Sequence, residues 1–429
     1  MSEQELYVVC QIDDFNLKIM VNRYVNNHIQ VLYKEVLNSE QYAEGGVVIN
    51  PELTGKLLRT VLDKINQLLK IKIERIALNL PSNNLKIYQS RAMLDFKEVN
   101  HTITNNDINQ VIEMTKNISI DQDEVICLTK PYDFKVDNKN FPNSFPLNVQ
   151  GQIIYLESLI YSLPKAIYNS QLEVLKAAKC ELLSTMLEQF ALVFNLHNNF
   201  NNLVLIDWGW NTTKISVFSN SALYAIHNIK IGFNQIAKGL MTKMRCSYSK
   251  AIKYLTKIIN VNSDYLSDLV VDKYFDQETK RIVTLSKADL QITVRNQLDE
   301  IVEHIESFLV DILDKDPNIE IVFTGQTINL PGFSSYIKSF NKLSNVSFIT
   351  NTIPGIDNYE WATLIGITNY QHNLNLFNNV LISSINNPGK VMINKDSVSS
   401  ALTTADNANK TDVNQYHSPL NLNYQYNDN

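Results

Sequence analysis

The sequence has little of what builds metal, disulfide or nucleic-acid chemistry. Its four cysteines, Cys10, Cys127, Cys180 and Cys246, stand far apart with no C-x-x-C pair. Neither a zinc site nor a disulfide framework is indicated, and a reducing cytoplasm fits best. The seven histidines show no H-E-x-x-H spacing and read as surface or core residues rather than ligands. No basic block is present, and 38 basic against 44 acidic residues give a formal net charge of -6. Nucleic acid is thereby excluded as a main partner. No run reaches the roughly 18 consecutive apolar residues of a spanning helix, and the opening "MSEQELYVVCQIDDF" lacks a basic region followed by an apolar one, so no signal peptide is expected.

What is present is globular. With 45% hydrophobic and 19% charged residues in 429, the chain is too long for one core and predicts two or more domains. Strand runs "LYVVCQI", "LKIMVNRY" and "HIQVLYKEVL" are followed by a helix over about 51 to 69 and a buried strand closed by Pro81. Residues 84 to 160 change texture and form a strand-and-helix insertion, after which a helix near Pro164, a strand and a helix lead to residue 200. From 203 the pattern of strand, acidic turn, strand, strand and helices begins again, with a long helix over about 287 to 313 opened by Ser286-Lys287-Ala288-Asp289. From about 386 apolar residues are sparse, which predicts a disordered, Asn-rich tail.

The stretch "LVLIDWGWNTTKISVF", residues 203 to 218, runs a buried strand into an acidic residue, a glycine and paired threonines. Such turns bring backbone N–H groups and hydroxyls up to a phosphate. Two readings are open. Either Asp207 holds Mg²⁺ through water while Thr212 and Thr213 meet a phosphate, or Asp207 caps a turn whose Trp208 and Trp210 fill an empty cleft.

In this order the pieces resemble the FtsA family of bacterial cell-division proteins, divergent homologues of actin, over roughly residues 5 to 370. The family's D-I-G-G-G-T-T-D turn is matched by Asp207-Trp208-Gly209-Trp210-Asn211-Thr212-Thr213-Lys214, and its adenosine turn T-G-G-G-S-x-L-P-G by Thr324-Gly325-Gln326-Thr327-Ile328-Asn329-Leu330-Pro331-Gly332. Its closing D-P-x-Y-A-T-A-x-G-L corresponds to Asp357 through Gly366, and "HTITNNDINQVI" is similar to a segment of the family's inserted 1C domain.

The resemblance implies an α/β, two-lobed actin-like fold, a duplicated ribonuclease H-like unit with an FtsA-type 1C insertion. Subdomain 1A would take 1–83, 163–200 and a return over 353–385; 1C would take 84–162; 2A would take 201–233 and 287–352; 2B would take 234–286; the tail is 386–429. ATP with Mg²⁺ would lie between the lobes. Asp13, Asp14, Asn16 and Lys18 would face it from the first turn, Asp207, Gly209, Asn211, Thr212 and Thr213 from the second, Gly232 ahead of the next helix, and Thr324, Gly325 and Gln326 from the adenosine turn. Asp207 and Asp13 would stand nearest the metal.

Several positions depart from the family. The first turn, D-I-G-T-x-K in the family, aligns with Gln11-Ile12-Asp13-Asp14-Phe15-Asn16. A carboxylate there repels phosphate unless Asp13 or Asp14 takes the Mg²⁺-water role after a two-residue slip. Two ribose-contacting positions become Ile252 and Leu255, and two adenosine glycines become Gln326 and Thr327. The expectation is a retained fold with an eroded nucleotide site and at most weak ATPase activity.

The resemblance also implies a cytoplasmic place at the division site, an FtsZ C-terminal peptide bound through about 234–286, and a homopolymer. Family members reach the inner face of the membrane through a basic amphipathic C-terminal helix. The ending "HSPLNLNYQYNDN" has no such helix, and the uncharged stretch 374–385 reads first as a packing helix, so a peripheral membrane contact is not expected. A PilM-like pilus-assembly scaffold and a small-molecule kinase of the actin superfamily remain as alternatives.

Overall fold

At the centre of the first sheet lies β1 (Leu6–Ile12), buried along its whole length because apolar side chains face helices on both sides. The protein is described by a computed structural model covering residues 5–385 apart from 26–27, 39–40, 98–99, 143, 197–201, 263–266, 279, 341, 344, 350–352, 354, 357–358 and 379–381. The Asn-rich tail expected over 386–429 lies outside the described residues. The chain divides into two units, one of residues 1–199, 353–356 and 361 onward, the other of residues 200–352 and 357–360.

In the first unit β1 pairs with β2 (Asn16–Val25), which pairs with β3 (His28–Asn38), both antiparallel. Helix α1 (Pro51–Leu69) starts where the Asn50 side chain accepts from Leu53 N at 2.9 Å with Pro51 in the first turn. It leads to β4 (Arg75–Leu80), parallel to β1. The inserted domain follows: β5 (Lys86–Asp95), α2 (Asn105–Thr115), β6 (Glu124–Val136), β7 (Lys139–Pro142) and β8 (Ile153–Pro164). Its sheet runs β7-β6-β8-β5, and Ile108, Val111 and Ile112 of α2 pack on Phe134, Val136, Ile154 and Leu156. The chain then returns through α3 (Lys165–Ala177), β9 (Glu181–Leu187) and α4 (Glu188–Phe194), completing the sheet β9-β4-β1-β2-β3.

The second unit repeats this order. Strands β10 (Asn202–Trp208), β11 (Thr213–Ser219) and β12 (Ala222–Ile229) form the meander, and α5 (Phe233–Met244) and α6 (Tyr248–Lys257) follow. A hairpin, β13 (Val270–Asp276) and β14 (Arg281–Ser286), precedes the long α7 (Lys287–Lys315). Then come β15 (Glu320–Thr324), α8 (Phe333–Ile337) and β16 (Val346–Phe348), giving the sheet β12-β11-β10-β15-β16. Written from the meander outward, both sheets read third, second, first, fourth, fifth strand. The duplication expected from the sequence is the architecture.

The last helix, α9 (Ala362–Asn378), packs in the first unit, where the Asn22 side-chain amide donates to Thr368 Oγ1 at 2.7 Å. The single helix anticipated over 374–385 is corrected here. Asn375 turns its amide onto the backbone of Ile382, donating to its carbonyl at 2.9 Å and accepting from its N–H at 3.3 Å. Ser384 then donates its N–H to Leu6 O at 2.8 Å and accepts from Glu74 N at 2.9 Å, and Ile385 bridges Ile73. These exposed strand ends at β1 and β4 supply partners that a continued helix would forgo.

Candidate functional site

Each unit carries one turn of the kind the sequence singles out. In the second unit, Asp207 pairs across β11 with Lys214, and Trp208 with Thr213. The turn is therefore Gly209 to Thr212, shorter than expected, closed by Gly209 N donating to Thr212 O at 3.0 Å. Trp208 belongs to the strand because its indole is fully buried, edge-on to Phe333 at 5.4 Å. It fills the core of this unit, not a cleft.

Behind the turn, Gly232 comes so close that a Cβ would sit 2.7 Å from the carbonyl oxygens of Gly209 and Trp210 and 2.8 Å from Thr212 N. Only glycine permits that approach. The first N–H groups of α5 are consequently used up. Phe233 N donates to Gly209 O at 3.0 Å, Asn234 N to Trp210 O at 2.8 Å, and Gly232 N to Gln235 Oε1 at 2.9 Å. A helix N-terminus attracts anions only while its N–H groups are free.

The turn's own side chains are held as well. Asn234 donates its amide to Asn211 Oδ1 at 2.9 Å and accepts from Tyr248 OH at 2.7 Å. Trp210 stacks on Phe233 with centroids 5.3 Å apart. The Thr213 hydroxyl, fully buried, donates to Ile231 O at 2.8 Å, whereas Thr212 is half-buried and lies within the turn.

Next to Asp207, Thr324 ends β15 and Gly325 follows with φ of +96°. A Cβ on Gly325 would sit 2.4 Å from Trp208 O and 2.8 Å from Asp207 Oδ1, so this surviving glycine is required by packing and conformation alike. Gln326 accepts from the Tyr359 hydroxyl. Gly332, at φ of +84°, leaves room for Asn260 and Asn262, while Val261 N donates to Pro331 O at 2.8 Å. Leu-Pro-Gly thus persists as a packing motif. Leu255 is core and Ile252 packs against that core, so neither offers a polar contact.

In the first unit the turn joins β1 and β2, with Asp13 N donating to Asn16 O at 2.8 Å. Lys18, buried on β2, lies across from Gln11. Asp13 accepts from the Gln11 amide at 2.9 Å and from Lys18 Nζ at 3.1 Å. The Asp14 carbonyl is taken by Tyr42 N at 2.6 Å and Ala43 N at 3.3 Å. Beneath the turn, Gln11 Oε1 and Asn79 Oδ1 are buried with no partner among the described residues. Asn79 lies one residue beyond the Cys10–Leu78 pair of β1 and β4.

A phosphate group needs N–H, O–H or ammonium donors. In the first turn the Lys18 ammonium already has a carboxylate, and the partnerless buried side-chain atoms of Gln11 and Asn79 are acceptors; in the second the first N–H groups of α5 already have carbonyls. The actin-type cofactor, ATP with Mg²⁺, does not fit either turn as folded. Among the described residues no group of three or more His, Cys, Asp or Glu gathers to hold a metal.

Comparisons with known proteins bear out the actin-like fold. The model of the SHS2 domain inserted in FtsA matches residues 82–160. Cell division protein FtsA of Bacillus subtilis is 21% identical over 86% of this chain and 84% of its own length. FtsA of Enterococcus faecalis is also 21% identical, over 87% and 85%. Among solved structures, the PilM-PilN type IV pilus biogenesis complex has TM-score 0.56 at 10% identity, covering 84% of this chain and 97% of that one. MreB5 of Spiroplasma citri bound to ADP has TM-score 0.51 at 12% identity, covering 86% and 97%.

Sheet order, duplication and these likenesses define an actin-like fold. Within that fold the SHS2 domain at 82–160 and the similarity over most of the chain resemble the cell division protein FtsA.

Proposed function

We propose that the protein is a cell-division scaffold that binds the C-terminal peptide of FtsZ and self-assembles into actin-like filaments at the division site in the cytoplasm, with an ATP site too degenerate for more than weak turnover. The observation that carries this reading is the FtsA-type domain at 82–160, placed between β4 and α3 of an actin-like unit. A PilM-like role rests on the fold likeness alone.

Segment 234–286 supports the peptide contact. On the β13–β14 hairpin, Phe275 stands directly opposite Ile282, and they are 56% and 69% exposed. Apolar side chains so exposed suit a short peptide with few anchors. Asn375 and the segment 382–385 are occupied in packing, which supports recruitment through partners rather than through a helix of that segment.

The test is retention of the chain on an immobilised FtsZ C-terminal peptide, beside the N-terminal tail of a pilus membrane protein. Retention by the FtsZ peptide alone, reduced at least about tenfold in affinity by Phe275→Asp with Ile282→Asp, is the expected result. Retention by the pilus tail alone would move the protein to the other reading.

A further inference from the structure

The first turn already holds an anion of its own. Lys18 is 8% exposed, and an ammonium at that depth needs a counter-charge close by. Asp13 supplies it from the turn's rim, its side chain 32% exposed, with Lys18 Nζ at 3.1 Å on one oxygen and the Gln11 amide at 2.9 Å on the other. One ammonium and one amide N–H converging on two oxygens of one anion is how a protein grips a phosphate. Here the anion is covalently part of the turn. With its N–H₂ turned toward Asp13, Gln11 keeps a buried Oε1 without a partner, as does Asn79 its Oδ1. A second anion placed beside Asp13 would meet the carboxylate.

We infer that Asp13 is an in-chain surrogate for a phosphate group, which completes the β1–β2 turn electrostatically without any nucleotide. The inference rests on the FtsA-like reading only in taking this turn as the phosphate turn of an actin-like unit. An ordinary surface ion pair would be worth little and would conceal no site. This pair differs in having its cation buried and its carboxylate at the solvent edge, so removing the carboxylate leaves its place beside the ammonium to an anion from solution.

The experiment uses the full chain and substitutes Asp13→Gly, Asp13→Asn, and Asp13→Gly combined with Lys18→Met. Thermal unfolding is followed in inorganic phosphate, and separately in Mg-ATP, each against chloride at matched ionic strength, with affinities from calorimetry. Wild type gains nothing specific from phosphate. Asp13→Gly and Asp13→Asn are stabilised selectively by phosphate or ATP, with an affinity at least about tenfold above wild type, and the combined variant loses the effect. If Asp13→Gly fails to fold in chloride, phosphate restores its folding while chloride at equal ionic strength does not. Absence of any selective phosphate effect in both single variants, rescue included, overturns the inference. So does micromolar Mg-ATP binding by wild type that Lys18→Met abolishes. Retention on the FtsZ peptide, measured on the same wild-type preparation, decides the functional reading independently.

Discussion

Lys130 shows how one residue sets a pH dependence. It lies on β6 opposite Leu159, 4% exposed, and burial alone pulls its ammonium down to about 8. Free lysine titrates near 10.4, so between pH 8 and 10.4 the unfolded chain binds more protons than the folded one, and stability rises with pH across that window. Below pH 8 both forms are charged and the fold bears the full cost of a buried ammonium. Lys130→Met should therefore raise the unfolding temperature at pH 7, by on the order of 1–3 kcal/mol of stability. The gain should shrink as pH rises from 8 to 10.4; an equal gain at both ends would show that packing, not charge, is responsible. At this scale the sequence is a partial guide to the site. The glycines Gly232 and Gly325 were visible as turn residues. The Asp13–Lys18 grip was not, because it depends on the Gln11–Lys18 register across a hairpin. Nor was the clamp of Tyr248 and Asn234 on Asn211, which joins residues from two helices to the turn.

Among the elements, those with a regular apolar period were legible and the hairpin β13–β14 was not. Its two faces are mixed, with Tyr274, Val283 and Leu285 packed on the core. Asp272 and Asp276 point inward to Lys250 and Arg245, at 2.7 and 2.9 Å, while Phe275 and Ile282 point to solvent. Pattern reading expects apolar side chains inside, and here ion pairs take part of that face. Helix α7 is the opposite case, since its capping box was readable as Ser286-Lys287-Ala288-Asp289. Ser286 Oγ accepts from Asp289 N at 3.1 Å, and Asp289 Oδ2 accepts from Ser286 N at 2.8 Å and from its hydroxyl at 2.7 Å. Ser286→Ala should cost about 1 kcal/mol in denaturant unfolding. The Ser286 hydrogen bonds hold the Asp289 carboxyl below its usual range. The folded form is thus the weaker acceptor of protons, so this contribution is present above about pH 4 and fades as pH falls further. A Ser286→Ala penalty that stays constant from pH 7 to pH 3 would count against the box as its source.

Taken over the whole chain, two units of one sheet order each carry a turn after their first strand, and the two turns are held by different devices. In the first unit a carboxylate satisfies the cation; in the second, turn carbonyls satisfy the helix N-terminus. In the second unit the packing glycines Gly325 and Gly332 stay because their backbone geometry is required by neighbouring chain, nucleotide or none. For the filament proposed above, subunits whose turns hold no phosphate would have no nucleotide state to switch between, so assembly should depend on protein concentration and salt alone. Sedimentation of the wild-type chain after enzymatic removal of all nucleotide should pellet the same fraction as in millimolar Mg-ATP, Mg-ADP or neither. A nucleotide that shifted the pelleted fraction severalfold would need to bind one assembly state better than the other, and would show that at least one of the two turns opens.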